Sequence, residues 1–142
     1  MKNLSILLFI TILFSLFIST DSSLNADDFN SGDYIRVIYF HGTNRCKTCL
    51  LIESYIKESL DNFYAQELKE GKVKWESINF DLDENQHYMD KFNIYNQTLI
   101  IMKYKKGKEK NWKACEKVWQ LTQKKDEFFK YVQNEVKAYL KD

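Results

Sequence analysis

An α/β domain with a mixed four-stranded sheet flanked by helices is the fold class that the sequence predicts, and three observations predict it. β-Branched and aromatic runs alternate with helical periodicity in the order strand, helix, strand, short helix, strand, strand, helix. The first two strands enclose a long helix, and such a crossover leaves them parallel. The last two are joined by a short turn, which makes them antiparallel. A sheet of this kind buries its apolar faces under helices. The chain has 142 residues, a length that favours one domain, and 15% aromatic residues supply a packed core.

The elements follow in chain order. Met1-Lys2-Asn3 is a basic start, Leu4 to Ile18 is an apolar run, and Ser19-Thr20-Asp21-Ser22-Ser23 is small and polar. That succession describes a signal peptide, residues 1–26, with cleavage after Ser19, Ser22, Ser23 or Ala26. The run is shorter than the roughly 20 residues a spanning helix needs. The domain is then residues 27–142. Removing the leader deletes Lys2 and Asp21 and leaves the net charge at +1. Tyr34 to Phe40 reads as a buried strand. His41 to Arg45 is a loop. From Cys46 to Lys69 there is no Gly or Pro, and Cys49, Ile52, Ile56, Leu60, Phe63 and Leu68 recur at helical spacing, with Gly71 as terminator. Val73 to Phe80 is a second strand, and Asn85 to Phe92 forms two helical turns. Thr98 to Tyr104 is a third strand, Lys105 to Lys108 a hairpin turn, and Asn111 to Trp119 a fourth strand with Cys115 in its middle. Thr122 caps a last helix through Leu140, whose stripe is Phe128, Phe129, Val132, Val136 and Tyr139.

Composition excludes several functions. Lys+Arg 21 against Asp+Glu 20 offers no global basic field, so no nucleic acid is expected as partner. Gly32, Gly42, Gly71 and Gly107 are too scattered for a phosphate loop or a dinucleotide fingerprint.

Cys46-Lys47-Thr48-Cys49 follows a strand and opens a helix. A cysteine there meets unpaired backbone N–H groups and the positive end of the helix dipole, and both favour thiolate over thiol. Arg45 and Lys47 add positive charge, and His41 is a candidate thiolate partner or metal ligand. The thiolate is the attacking species in disulfide exchange. Cys46 is accordingly the expected nucleophile and Cys49 the resolving thiol. A static disulfide and a soft-metal site remain alternatives. Leu50 follows Cys49 where a c-type haem motif would have His.

The succession of strand, Cys46-Lys47-Thr48-Cys49, helix, Phe80 to Asn85, Lys91 to Ile94 and Thr98 to Ile101 resembles a thioredoxin-like domain. A narrower likeness is to the ArsF family of small exported proteins, nitrophenyl-compound nitroreductase subunits. It is carried by Tyr39-Phe40-His41, by Arg45 to Cys49 with Glu53, by Asn96 to Leu99 and by Val118 to Leu121. The resemblance implies a thiol-redox or electron-relay role served by a membrane thiol reductase. Nothing in the chain resembles a flavin site. The chain departs from thioredoxins in lacking proline, whereas they place a cis-proline opposite the cysteines. Gln97 and Thr98 stand there as a substrate-facing loop, in trans geometry since a cis bond without proline costs about 3 kcal/mol. The buried carboxylate of thioredoxins is absent from the first strand, which offers Arg36 as its only charge, and so is their N-terminal strand and helix. Glu53 shares the helix face of the cysteines and is a candidate proton relay or tuning carboxylate; a salt-bridged surface glutamate is the plain alternative.

Cys115 reads as a small buried apolar residue, or else as a third thiol. Trp75, Trp112 and Trp119 read as core and sheet-face aromatics, His87 as a surface residue. Lysines 103, 105, 106, 108 and 110 form a basic hairpin that discourages edge pairing.

The expected function is an exported thiol–disulfide oxidoreductase or electron relay that cycles a Cys46/Cys49 disulfide, periplasmic or otherwise extracytoplasmic. Its catalytic set is Cys46, Cys49 and Glu53, tuned by His41, Arg45 and Lys47, with no cofactor and no resident metal. The expected partner is a membrane thiol reductase or a disulfide-bearing protein. The membrane is met through the signal segment if that is retained, and the chain is a monomer. The alternatives are a soft-metal or metalloid module using Cys46, Cys49 and His41 or Cys115, and an electron-passing subunit dedicated to one membrane reductase.

Overall fold

The computed structural model describes residues 32–141; the expected signal peptide, residues 1–26, lies outside them. Four strands, β1 (Tyr34–His41), β2 (Val73–Asn79), β3 (Thr98–Lys105) and β4 (Lys108–Ala114), form one sheet in the order β2-β1-β3-β4. β1 runs parallel to β2 and antiparallel to β3, and β3 runs antiparallel to β4. Four helices accompany them: α1 (Lys47–Phe63), α2 (Ala65–Lys69), α3 (His87–Phe92) and α4 (Lys125–Lys141). This is a thioredoxin-like fold, with the cysteine pair at the junction between the central strand β1 and the crossover helix α1. Among the described residues no helix is long and apolar enough to cross a membrane.

The central strands are buried on both faces, which is why they read as continuous apolar runs. Ile35, Val37 and Tyr39 of β1 and Leu99 and Ile101 of β3 point one way. They pack against Ile52, Ile56 and Leu60 of α1 and Phe128, Val132 and Val136 of α4. Ile38, Phe40, Ile100 and Met102 point the other way, onto Phe92 of α3 and onto Ile94 and Phe80. Arg36, the lone charge of β1, is held bidentately by Glu76 on β2 at 2.6 and 2.5 Å.

Four expectations are corrected. The helix expected over Cys46 to Lys69 breaks at Tyr64 (φ −135°), whose ring is buried and whose hydroxyl donates to the Gln133 carbonyl at 2.6 Å. Anchoring that side chain to α4 turns the backbone out of the helix. The helix expected from Asn85 becomes a 3-10 turn, Asp83–Asn85, followed by α3, which ends where Asn93 adopts φ 51°. The fourth strand starts directly at the turn and stops at Ala114, so Cys115 lies past its end. Cys115 and Val118 are buried three positions apart, on one side of a 3-10 turn over Glu116–Trp119, a spacing that is the period of that turn and not of a strand. Thr122 does not cap the last helix. Its hydroxyl donates to the Trp119 carbonyl, and the Phe128 N–H bonds Lys124 O at the start of α4.

Lys103 is buried on β3, and its Nζ donates to the Tyr139 carbonyl in the last turn of α4 at 2.8 Å. Terminal helix carbonyls have no partner within the helix, and a cation there also meets the negative end of its dipole. Lys103→Met removes both and should cost about 1 kcal/mol. A urea midpoint that falls with an unchanged slope would show it; an unmoved midpoint would show that desolvation of the ammonium offsets the bond.

Candidate functional site

The site stands on the loop between β1 and α1. Asp81 Oδ2 accepts the Thr43 N–H at 2.7 Å, and Asn79 Nδ2 donates to Thr43 Oγ1 at 3.0 Å. Gly42 is buried against them: a Cβ there would lie 3.1 Å from Asp81 Oδ2. The end of β2 thus fixes the loop that delivers the cysteines.

Cys46 and Cys49 form a disulfide. Cys46 is exposed and Cys49 is buried, 3% accessible. Cys46 is the N-cap of α1, and its Sγ accepts the Cys49 N–H at 3.0 Å, while the Cys46 N–H points at Cys49 Sγ at 3.2 Å. No acidic residue lies in the first turn, so nothing there opposes negative charge on the outer sulfur. The same N–H that caps the helix would stabilise a Cys46 thiolate.

Behind the pair lies a polar group that joins β1, β2 and α1. Arg45 and Glu53 form an ion pair, with both side chains about one-fifth exposed. Arg45 meets Glu53 through Nη2, and its buried Nε finds no acceptor among the described residues. Burial pushes the Glu53 carboxyl up, but hydrogen bonds from Ser77 and Arg45, with the charges of Arg45 and His41, outweigh it and hold the carboxyl below its ordinary value. Arg45 is therefore not a free positive charge beside the sulfur. His41 is half-buried at the end of β1, with Nδ1 2.9 Å from the Gly42 carbonyl, which accepts a proton carried on Nδ1. Lys47 is exposed at the start of α1.

Gln97 and Thr98 sit at the same end of the sheet, since Thr98 pairs with Phe40 in the register of β1 and β3. Thr98 is buried and its hydroxyl donates to the Asn96 carbonyl at 3.0 Å; the Gln97 carbonyl accepts Trp119 Nε1 at 2.9 Å. All peptide bonds among the described residues are trans. A cleft of about 290 Å³ lies here, lined by Asn96, Gln97, Thr98, Cys115 and Trp119 among others.

Cys115 is buried, and that burial pushes its thiol up to about 12, which leaves it protonated at neutral pH. Among the described residues no three His, Cys, Asp or Glu side chains gather where a metal could be held, so neither His41 nor Cys115 completes a ligand set with the pair.

Two contributors escape the sequence reading. The Tyr39 hydroxyl donates to the Cys49 carbonyl at 3.1 Å beneath the disulfide, and burial pushes that phenol up to about 12. Strand parity was the available signal, because Tyr39 shares a face with Val37 and so points toward α1. Ser77 had no such signal: it reaches Glu53 from a neighbouring strand, and only the register brings them together.

No protein-family model matches the chain, and no curated protein matches it in sequence. Among solved structures it is similar to thioredoxins. Thioredoxin O2 from Arabidopsis thaliana, in its oxidised state, is 22% identical over 68% of this chain and 76% of that one, with a TM-score of 0.41. Oxidised thioredoxin from Plasmodium falciparum is 17% identical over 72% and 86%, with a TM-score of 0.41. Fasciola hepatica thioredoxin is 16% identical over 74% and 86%, with a TM-score of 0.40.

Proposed function

We propose that this chain is a thiol–disulfide oxidoreductase that cycles Cys46 and Cys49. One observation carries the reading: the pair is bonded at the first turn of α1, with the outer sulfur on an exposed residue and the inner one on a buried residue. In the reducing direction the Cys46 thiolate attacks one sulfur of a substrate disulfide. A mixed disulfide forms and one substrate thiolate leaves. The Cys49 thiol loses its proton and attacks Cys46 Sγ, the second substrate thiolate leaves, and the Cys46–Cys49 disulfide is restored. Two electrons have passed to the substrate, and the oxidising direction is the reverse. A static bridge would need no exposed cysteine at a helix N-terminus.

The narrower likeness to the ArsF family is part of this reading, supported by the four sequence segments. With it go export to an extracytoplasmic compartment, supported by the apolar leader, and one dedicated membrane thiol reductase as electron donor. Glu53, His41, Arg45 and Lys47 are read as the groups that set the reactivity of the pair, and Gln97 and Thr98 as the loop that meets the substrate.

The test is equilibration of the purified chain with glutathione buffers, with alkylation of the free thiols read by mass. The expected result is a reversible two-electron transition at a defined ratio of oxidised to reduced glutathione. A pair that never exchanges sinks the proposal.

A further inference from the structure

The charges of the domain are sorted along the sheet. β1 starts at Tyr34, and its pairing brings the start of β2 and the end of β3 beside it. The β3–β4 turn lies at that same end, where the Lys106 N–H donates to Asp33 Oδ1 at 3.1 Å. The bond from Lys103 to Tyr139 brings the last turn of α4 there too. Lys72, Lys106, Lys108, Lys110 and Lys141 are all exposed around this end. Four acids answer them: Glu70 pairs with Lys72, whose charge Glu67 also meets, Asp33 spends an oxygen on the turn backbone, and Glu109 pairs with Lys91. The side chains of Lys106, Lys108 and Lys110 make no ion pair among the described residues. At the opposite end, around the disulfide, Asp81, Asp83, Glu84 and Glu116 are exposed and outnumber the exposed Lys47 and Lys117 there. A net charge of +1 conceals this separation.

An eight-residue strand spans about 25 Å, some three screening lengths at physiological salt, so an outside surface meets the two ends as separate charges. The polypeptide also enters the domain at the lysine end, at Asp33 and Tyr34, downstream of the apolar run Leu4 to Ile18. We propose that the lysine end of the sheet docks on an anionic lipid surface and holds the disulfide on the far side, facing away from the bilayer. Lysines near an anionic leaflet each add binding without a shaped pocket, whereas a protein partner is gripped by buried aromatic and aliphatic anchors. Among the described residues the exposed large hydrophobics are Leu50, Phe63, Leu82, Tyr95 and Trp112, and none belongs to the β3–β4 turn or the last turn of α4. The acidic end is repelled by the same surface, which sets the orientation. The proposal is independent of what the disulfide does.

Hydrogen exchange on the full chain tests it, with phosphatidylcholine vesicles compared to vesicles that also contain phosphatidylglycerol. The leader, with Lys2 at its start, is common to every variant, so the lysine substitutions isolate the contribution of the sheet end. The expected result is that amides of residues 104–110 exchange at least about threefold more slowly on the anionic vesicles, while those of residues 42–49 do not change. Salt at about 0.5 M should abolish the difference. So should Lys106→Glu/Lys108→Glu/Lys110→Glu, with thermal midpoint and glutathione equilibrium as controls for folding; the milder Lys108→Gln/Lys110→Gln should fall between. Equal exchange on both vesicles, or slowing confined to residues 42–49, overturns the proposal. Slowing of the hairpin by polyglutamate and not by anionic vesicles overturns it in favour of an acidic protein partner.

Discussion

Cys46→Ser should bring exchange with small disulfides down to the background rate, whereas Cys49→Ser should still attack and then stall as a mixed disulfide. The asymmetry follows from exposure. Cys46 is open at the start of α1, where a backbone N–H points at its sulfur, while Cys49 lies 3% accessible beneath it. A substrate sulfur reaches the first and not the second. Both substitutions delete the same cross-link, and closing so short a loop is worth about 2 kcal/mol in the chain-entropy account. The two variants should therefore lose similar stability and differ only in their adducts, read as a glutathione mass added to Cys49→Ser. Matched stability loss with no adduct on either would show a static bridge.

The strand order was readable because β1 and β3 are buried on both faces and show it as unbroken apolar runs, Val37 to Phe40 and Leu99 to Met102. The cysteine pair was readable because its setting is local: a strand, a loop and a helix start within a dozen residues. What the sequence hid was non-local or conformational. Tyr64 ends α1 for the sake of a bond to Gln133 on another helix. Cys115 and Trp119 look like strand residues until the 3-10 turn is seen. Neither the pairing of Arg45 with Glu53, eight residues on and across the helix start, nor its effect was legible. Arg45 was expected to favour the thiolate with a free positive charge, and the fold instead spends that charge on Glu53.

Glu53→Gln should make Cys46 more reactive, because it releases the charge on Arg45. With the carboxylate present the pair is neutral overall; without it a guanidinium stands next in sequence to the attacking cysteine. A fall of about half to one unit in the thiol pKa would speed alkylation below that pKa by about three- to tenfold and make the pair more oxidising. Arg45→Met should act oppositely, leaving an unpaired carboxylate beside the pair. The acid side of the stability curve should change as well. The Glu53 carboxyl is held below its ordinary value, by Ser77 and Arg45 against the opposing effect of burial. Its stabilisation is thus complete above the unfolded carboxyl pKa of about 4.3 and is lost as pH falls through the folded value. Glu53→Gln removes that loss and flattens the curve below about pH 4.3. The pH profile of alkylation separates the roles open to this residue. A shifted profile with normal resolution marks Glu53 as the group that positions and neutralises Arg45. An unshifted profile with a mixed disulfide that resolves slowly would make it the proton acceptor for Cys49. A change in acid stability alone would leave it a structural ion pair.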